Sequence, residues 1–417
     1  MSSSYSEFDS SQKLLALLTR ERILDSMRAM ADWLGEARNA ARGKGVGYRD
    51  IIYFRDGSFQ WLYPHSNAGE QINVFLFLHD LLGDDRWLQH AIEYADLAIA
   101  DPIHGIYRGE HTEAHGLPWY WPDIGVYGGI YGMRFPAGFW ALYEKTRKPI
   151  YEEYARLTTD VLVARQTCSG LVDAGWSPTN RWAEARQRLG SRIGYAMGTF
   201  AFMHNKTGEQ KYADALDRLV GCFERMQHPD GSFFETYHTE TAQPLDRTVK
   251  NHFLGYILNG LTDAYMITHD DRLLRIAKRL AEFVARNFYY RQLVPYCAGP
   301  SDPPANQAEL DSPVIDPATG LFKLYRITNE PHYLDIALKL WWHYFTWQTL
   351  CPERPELHGA VVQGANPLGD KWAGAVHASR QAVFNPHKVA HVCIYYQNQY
   401  VLGTQQLMAI VAARKLS

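Results

Sequence analysis

The sequence predicts an all-α fold, an (α/α) toroid of about six helical hairpins, as a single domain over residues 1–417. Three observations predict it. A turn motif recurs with a period of about 60 residues. An amphipathic helical pattern follows each copy of the motif, and a helical pattern that is apolar nearly all round precedes it.

The motif reads "LGDDRWLQHA" from Leu82, "TRKPIYEEYA" from Thr146, "TGEQKYADAL" from Thr207, "THDDRLLRIA" from Thr268 and "TNEPHYLDIA" from Thr328. Each copy is a polar turn followed, five residues in, by Trp87, Tyr151, Tyr212, Leu273 or Tyr333. Thr or an acidic residue is expected to cap the next helix, and Pro149 and Pro331 suit a first turn that needs no N–H donor.

In chain order the pattern alternates. An outer helix near 11–36 opens the chain and is followed by inner 67–82, outer 86–99, inner 125–145, outer 150–165 and inner 191–206. Outer 210–227, inner 251–267, outer 271–287, inner 313–327, outer 331–348 and inner 388–412 complete it, the first helix closing against the last. The outer pattern is clearest in "LLRIAKRLAEFVARN": Leu273, Ile276, Ala277, Leu280 and Val284 share one face, with Arg275, Lys278, Arg279 and Glu282 off it. The inner pattern is clearest in "GYAMGTFAFMHNK" and "HFLGYILNGLTDAYMI", which have no polar face and so belong inside. No long alternating run supports a strand-rich second domain.

Composition narrows the function. The apolar fraction of 46%, charged fraction of 21% and net charge of -3 are those of an ordinary globular chain with no general pull on nucleic acid or an anionic membrane. The five cysteines, Cys168, Cys222, Cys297, Cys351 and Cys393, are far apart and form no CxxC, so neither a disulfide framework nor a zinc knuckle is suggested. No basic-then-apolar leader and no membrane-length apolar run is visible, and the expectation is a cytoplasmic protein, monomeric or a small homo-oligomer. The aromatic fraction is high, at 13% with 12 Trp and 26 Tyr, and aromatic rings suit the apolar C–H faces of sugars.

The short motif turns lie at one end of such a ring. The long connections 101–124, 167–190, 228–250, 288–312 and 349–387 lie at the other, where function usually sits. They carry Trp119, Trp121, Trp176 and Trp372, and with Arg192 and Lys250 these are the expected substrate-binding residues. Asn251 and His252 open an inner helix at that end; as single residues a cap and a hydrogen-bonded core histidine would account for them. Arg291 and Tyr296 lie in the next connection and Tyr195 opens the preceding inner helix, so neighbouring hairpins bring these groups together. An amide, an imidazole and a guanidinium suit neutralisation of a uronate carboxylate, and a tyrosine beside arginine suits removal of the proton α to it, which is β-elimination.

The order Asn251-His252, Arg291, Tyr296 resembles the catalytic set of the α/α-toroid polysaccharide lyases that act on polyuronates, the alginate and glucuronan lyases among them. The resemblance of fold covers nearly the whole chain and that of motif covers four residues. It implies Asn251 and His252 at the carboxylate, Arg291 as their charge partner, and Tyr296 as base and acid with Tyr195 a second acid. The expected substrate is an anionic oligo- or polysaccharide, and no cofactor or metal is expected.

Other readings stand beside it. Asp123 in "PDIGVYGG" and Asp173 in "LVDAGW" resemble acidic positions of toroid glycoside hydrolases that act on unsaturated glucuronyl oligosaccharides. A sugar epimerase of the N-acylglucosamine type would use histidines such as His252 and His391, and a toroid that only binds glycans would use the loop aromatics alone. His104, His111, Glu113 and His115 sit among Gly105, Gly109, Gly116 and Pro118, which argues against the helix that metal ligation at this spacing needs.

Overall fold

The computed structural model describes residues 11–41, 48–53, 59–62, 68–100, 120–121, 126–128, 135–173, 175–176, 189–245, 249–288, 297–298, 310–311, 315–346, 348, 350, 352–353, 357–361, 364–365 and 391–415. The helices are α1 (Ser11–Leu17), α2 (Arg20–Ala41), α3 (Ala68–Leu82), α4 (Arg86–Ala100), α5 (Phe135–Thr146), α6 (Pro149–Ala164) and α7 (Tyr195–Thr207). They continue with α8 (Gln210–Met226), α9 (Asn251–Thr268), α10 (Asp271–Phe288), α11 (Ile315–Thr328), α12 (Pro331–Thr346) and α13 (Ile394–Lys415). The inner ring is α3, α5, α7, α9, α11 and α13, each packed on the next and α13 packed back on α3. The outer ring is α2, α4, α6, α8, α10 and α12, so the fold is an (α/α) toroid.

The sixth position of the motif explains the repeat. Trp87, Tyr151, Tyr212, Leu273 and Tyr333 are all buried where an outer helix meets the ring. A buried side chain of Leu or Phe size contributes about 1.5–3 kcal/mol, so the period repeats an anchor as well as a turn. Tyr151 donates its hydroxyl to Asp96 of α4 (2.7 Å) and Tyr212 donates to Asp160 of α6 (2.8 Å), tying each outer helix to the one before.

The threonines act differently from expectation. Thr146, Thr207, Thr268 and Thr328 do not cap the helix that follows. Each hydroxyl donates to the carbonyl four residues back in its own helix, at 2.7–2.9 Å. Each also accepts the N–H two residues on, so it bridges the turn. Two of the acidic residues do cap: Asp84 accepts the Arg86 N–H at 3.0 Å and Asp270 the Arg272 N–H at 2.9 Å. Pro149 and Pro331 open α6 and α12 as expected.

Three helix boundaries move. The first outer helix breaks between Leu17 and Arg20, because the Thr19 hydroxyl accepts the Arg22 N–H (3.2 Å) and starts a new helix. The inner helix expected from 125 begins at Phe135; Val126–Gly128 is instead strand β4, since Gly125, Gly128 and Gly129 weaken a helix and Val126 and Tyr127 suit pairing. The last inner helix begins at Ile394, after strand β12 (His391–Cys393).

The other strands are β1 (Tyr48–Tyr53), β2 (Phe59–Leu62), β3 (Tyr120–Trp121), β5 (Gly175–Trp176), β6 (Leu189–Gly190), β7 (Thr236–Tyr237), β8 (Val249–Lys250), β9 (Cys297–Ala298), β10 (Leu310–Asp311) and β11 (Gly364–Ala365). β12, β1 and β2 form one antiparallel sheet. The Asp56-Gly57 dipeptide between two aromatic, β-branched runs is the signal for β1 and β2 that the sequence reading passed over. The rest are a three-stranded sheet of β3, β4 and β5 and short two-stranded pairs, too brief to leave a period-two pattern. No described helix is long and apolar enough to cross a membrane.

Candidate active site

Every inner helix starts from a long connection, and all but the last, α13, end in a short turn, so residues at their first turns share one end of the ring. Tyr195 is the first residue of α7, and Asn251 and His252 are the first two of α9. Lys250 lies in β8, paired with Cys297 of β9, and Arg192 lies in the 3-10 turn that leads into α7. Trp121 of β3 and Trp176 of β5 flank the same strand, β4: Trp121 pairs with Val126, and Trp176 with Tyr127. The backbone thus gathers these six positions and Tyr195 at the loop end. Arg291, Tyr296, Trp119, Trp372 and Asp123 lie outside the described residues, as do His104, His111, Glu113 and His115.

Two candidates are described with their side chains. Tyr195 is half-buried, its ring 4.9 Å from that of Tyr256 on α9, and it lines the ring's axial cavity. The two helices meet so closely here because Gly260 lies against the Gly194 backbone. Asp173 stands in the connection after α6, where its N–H donates to the Arg165 carbonyl (2.9 Å) and its carboxylate faces the Arg165 guanidinium at 3.5 Å. Those contacts fold the connection back onto the end of α6, and the side chain keeps partial exposure.

The axial cavity has a polar lining that none of the expected site residues except Tyr195 belongs to. This cavity measures about 340 Å³ and is walled by all the inner helices. Glu70, in the first turn of α3, is buried and accepts a hydrogen bond from the Gln399 amide of α13 at 2.7 Å. On the opposite side the Lys323 ammonium of α11 donates to Asn259 (3.1 Å) and to Asp263 (2.8 Å to one carboxylate oxygen) of α9. A signal existed: Asn259, Asp263 and Lys323 interrupt helices that are otherwise apolar. A charge on a buried helix needs a partner on a neighbouring one.

The family model for the beta-L-arabinofuranosidase, GH127 catalytic domain, matches residues 134–359, just over half of the chain. No curated protein matches in sequence. An unsaturated glucuronyl hydrolase specific for heparin is 13% identical with a TM-score of 0.67, covering 94% of this chain and 99% of its own. An unsaturated glucuronyl hydrolase from Bacillus sp. GL1 is also 13% identical, with a TM-score of 0.67 over 92% of this chain and 96% of its own. A cellobiose 2-epimerase from Bacillus thermoamylovorans B4167 is 10% identical, with a TM-score of 0.68 over 91% and 97%. At these identities the structures are similar to this one in fold.

The family match overturns the lyase reading. A glycosidase cleaves its bond by hydrolysis, which requires neither removal of a C5 proton nor neutralisation of a uronate carboxylate, so the eliminase roles given to Asn251, His252, Arg291, Tyr296 and Tyr195 fall away, together with the alginate and glucuronan assignment. This chain belongs to the family of the beta-L-arabinofuranosidase, GH127 catalytic domain, and is a carbohydrate-active enzyme built on an (α/α) toroid.

Proposed function

We propose that the protein is a glycoside hydrolase that releases a terminal sugar from a glycan bound at the loop end of the ring. The observation that carries this is the family match over 134–359, the stretch that contains Asp173, Tyr195, Asn251 and His252. Hydrolysis needs an acid to protonate the leaving oxygen and a second group to attack the anomeric carbon or to activate water. Asp123 and Asp173 are the candidates the sequence offers. In this reading Trp121 and Trp176 stack on sugar faces, and Arg192, Lys250, Asn251 and His252 hydrogen-bond hydroxyls.

The test is release of free sugar from a panel of aryl β-L-arabinofuranosides, α-L-arabinofuranosides and unsaturated glucuronyl disaccharides. Hydrolysis of one class is expected, and the class decides whether a neutral or an anionic sugar is taken. Substituting the catalytic carboxyl should lower kcat by about 10²- to 10⁴-fold, so Asp123→Asn and Asp173→Asn are compared on the substrate found. Recovery of an uncleaved, epimerised sugar would move the protein to the epimerases that share its fold. Full activity in both variants would remove these carboxyls from the mechanism.

A further inference from the structure

The axial cavity faces away from the loop end. Its most buried lining residues, Glu70, Asn259, Thr319 and Gln399, form a floor. Exposure rises toward the short turns: Met266 and Ile267, the last residues of α9 before Thr268, are half-buried, and Gln405 is exposed. The Lys323–Asp263 pair shows the same gradient, the lysine 10% and the aspartate 38% exposed, so the carboxylate is the partner that meets solvent in the cavity.

We propose that this turn-end cavity is a second binding site, for a small neutral polyhydroxylated ligand of mono- to disaccharide size. Its volume of about 340 Å³ lies at the small end of ligand pockets. Its charges argue against an anion, since Glu70 and Asp263 stand against Lys323 alone, and Lys323 is committed to Asp263 and Asn259. Its remaining chemistry suits hydroxyl groups. Asn73 and Gln405 bring amides that make no hydrogen bond to a described residue, and Phe202 offers a ring edge or face beside them. An ion pair that served only to join α9 to α11 would call for close packing around it rather than an open, amide-lined cavity.

The proposal does not rest on the hydrolase reading and is tested by binding alone. L-arabinose, D-galactose, cellobiose and D-glucuronate are titrated into the full chain by calorimetry and ligand-observed NMR. Met266→Trp, which fills the cavity mouth, is run beside the wild type, and Gln405→Trp at an exposed position serves if Met266→Trp melts early. Binding of at least one neutral sugar, weakened tenfold or more by the mouth variants and retained in Asn251→Ala at the loop end, is the expected result. Three results would overturn the proposal: no neutral sugar bound at tens of millimolar, tighter binding of glucuronate than of the neutral sugars, or binding untouched by both mouth variants.

Discussion

Arg147 shows how a single backbone angle sets up a prediction. The residue after each inner helix before α13 is left-handed: Gly83 (φ 67), Arg147 (φ 59), Gly208 (φ 70), His269 (φ 55) and Asn329 (φ 56). Each returns its N–H to a carbonyl four residues back, 2.7 Å away for Arg147 and 2.8 Å for Gly208. A Cβ in that region costs about 1–2 kcal/mol, offset in part by the entropy that glycine loses on folding. Arg147 is exposed, so Arg147→Gly should stabilise the protein by about 0.5–1 kcal/mol, and Gly208→Ala should destabilise it by a similar amount, both read from urea melts. The opposite sign for Arg147→Gly would show that the arginine has an unrecognised role. Gly260 is the harsher case, because a methyl there would overlap the Gly194 carbonyl. Gly260→Ala should force α7 and α9 apart and cost about 1–3 kcal/mol or more.

At the scale of elements, the outer helices are stitched by a repeated glutamine. Gln166, Gln227 and Gln348 each follow an outer helix. Gln166 donates its amide to Gly170 and Ala215, Gln227 to Gly231 and Ile276, and Gln348 to Gly359 and Ser26. Each therefore closes its own connection and holds the next outer helix at once. Gln227→Ala leaves two buried carbonyls without this donor and should cost about 1–3 kcal/mol, measured by thermal or urea unfolding. A loss below a few tenths would mean that water replaces the amide.

The short-turn end is laced with ion pairs. Burial alone would raise the Asp270 carboxyl, but the Arg272 guanidinium and backbone N–H outweigh it and hold the carboxyl below its usual value. Lys211 first, with burial opposing and Arg156 adding, does the same for Glu209. A depressed folded pKa gives stability that is present above the ordinary carboxylate range and is lost as pH falls through the folded value, roughly below pH 4. Arg272→Met should therefore flatten the acid-side fall of Tm. An unchanged slope would show that these partly exposed pairs are screened.

For the whole molecule, the decisive contacts are those that close the ring. The Ser26 hydroxyl of α2 bonds Gln348, 322 residues away, at 2.7 Å and Tyr400, 374 residues away, at 2.8 Å. Burial pushes the Tyr400 phenol up, which suits a hydroxyl kept neutral in that seam. Trp341 stacks on Tyr400 at 5.6 Å and donates to Thr404, so α12 and α13 are locked beside the same seam. If the ring unfolds as one unit, calorimetry should give a single transition, and Ser26→Val should lower it without splitting it. Two transitions would show that the hairpins before and after the seam unfold separately.

The sequence by itself determined the ring: its turns, its buried sixth position, its alternation of inner and outer helices and the end at which the long connections gather. These are local properties, written in residues a few places apart and repeated along the chain, so they survive without knowledge of what touches what. It also brought Tyr195, Asn251 and His252 to that end, because the first residue of an inner helix is a local property too. It did not determine the chemistry. Asn, His, Arg and Tyr are as much at home holding sugar hydroxyls as removing a proton, and the family match, not the residue types, set elimination aside. Only the tertiary structure put Glu70 beside Gln399 and Lys323 beside Asp263, residues scattered over four helices. Each reads in its own helix as an isolated polar interruption, and closing the ring is what gives it a partner.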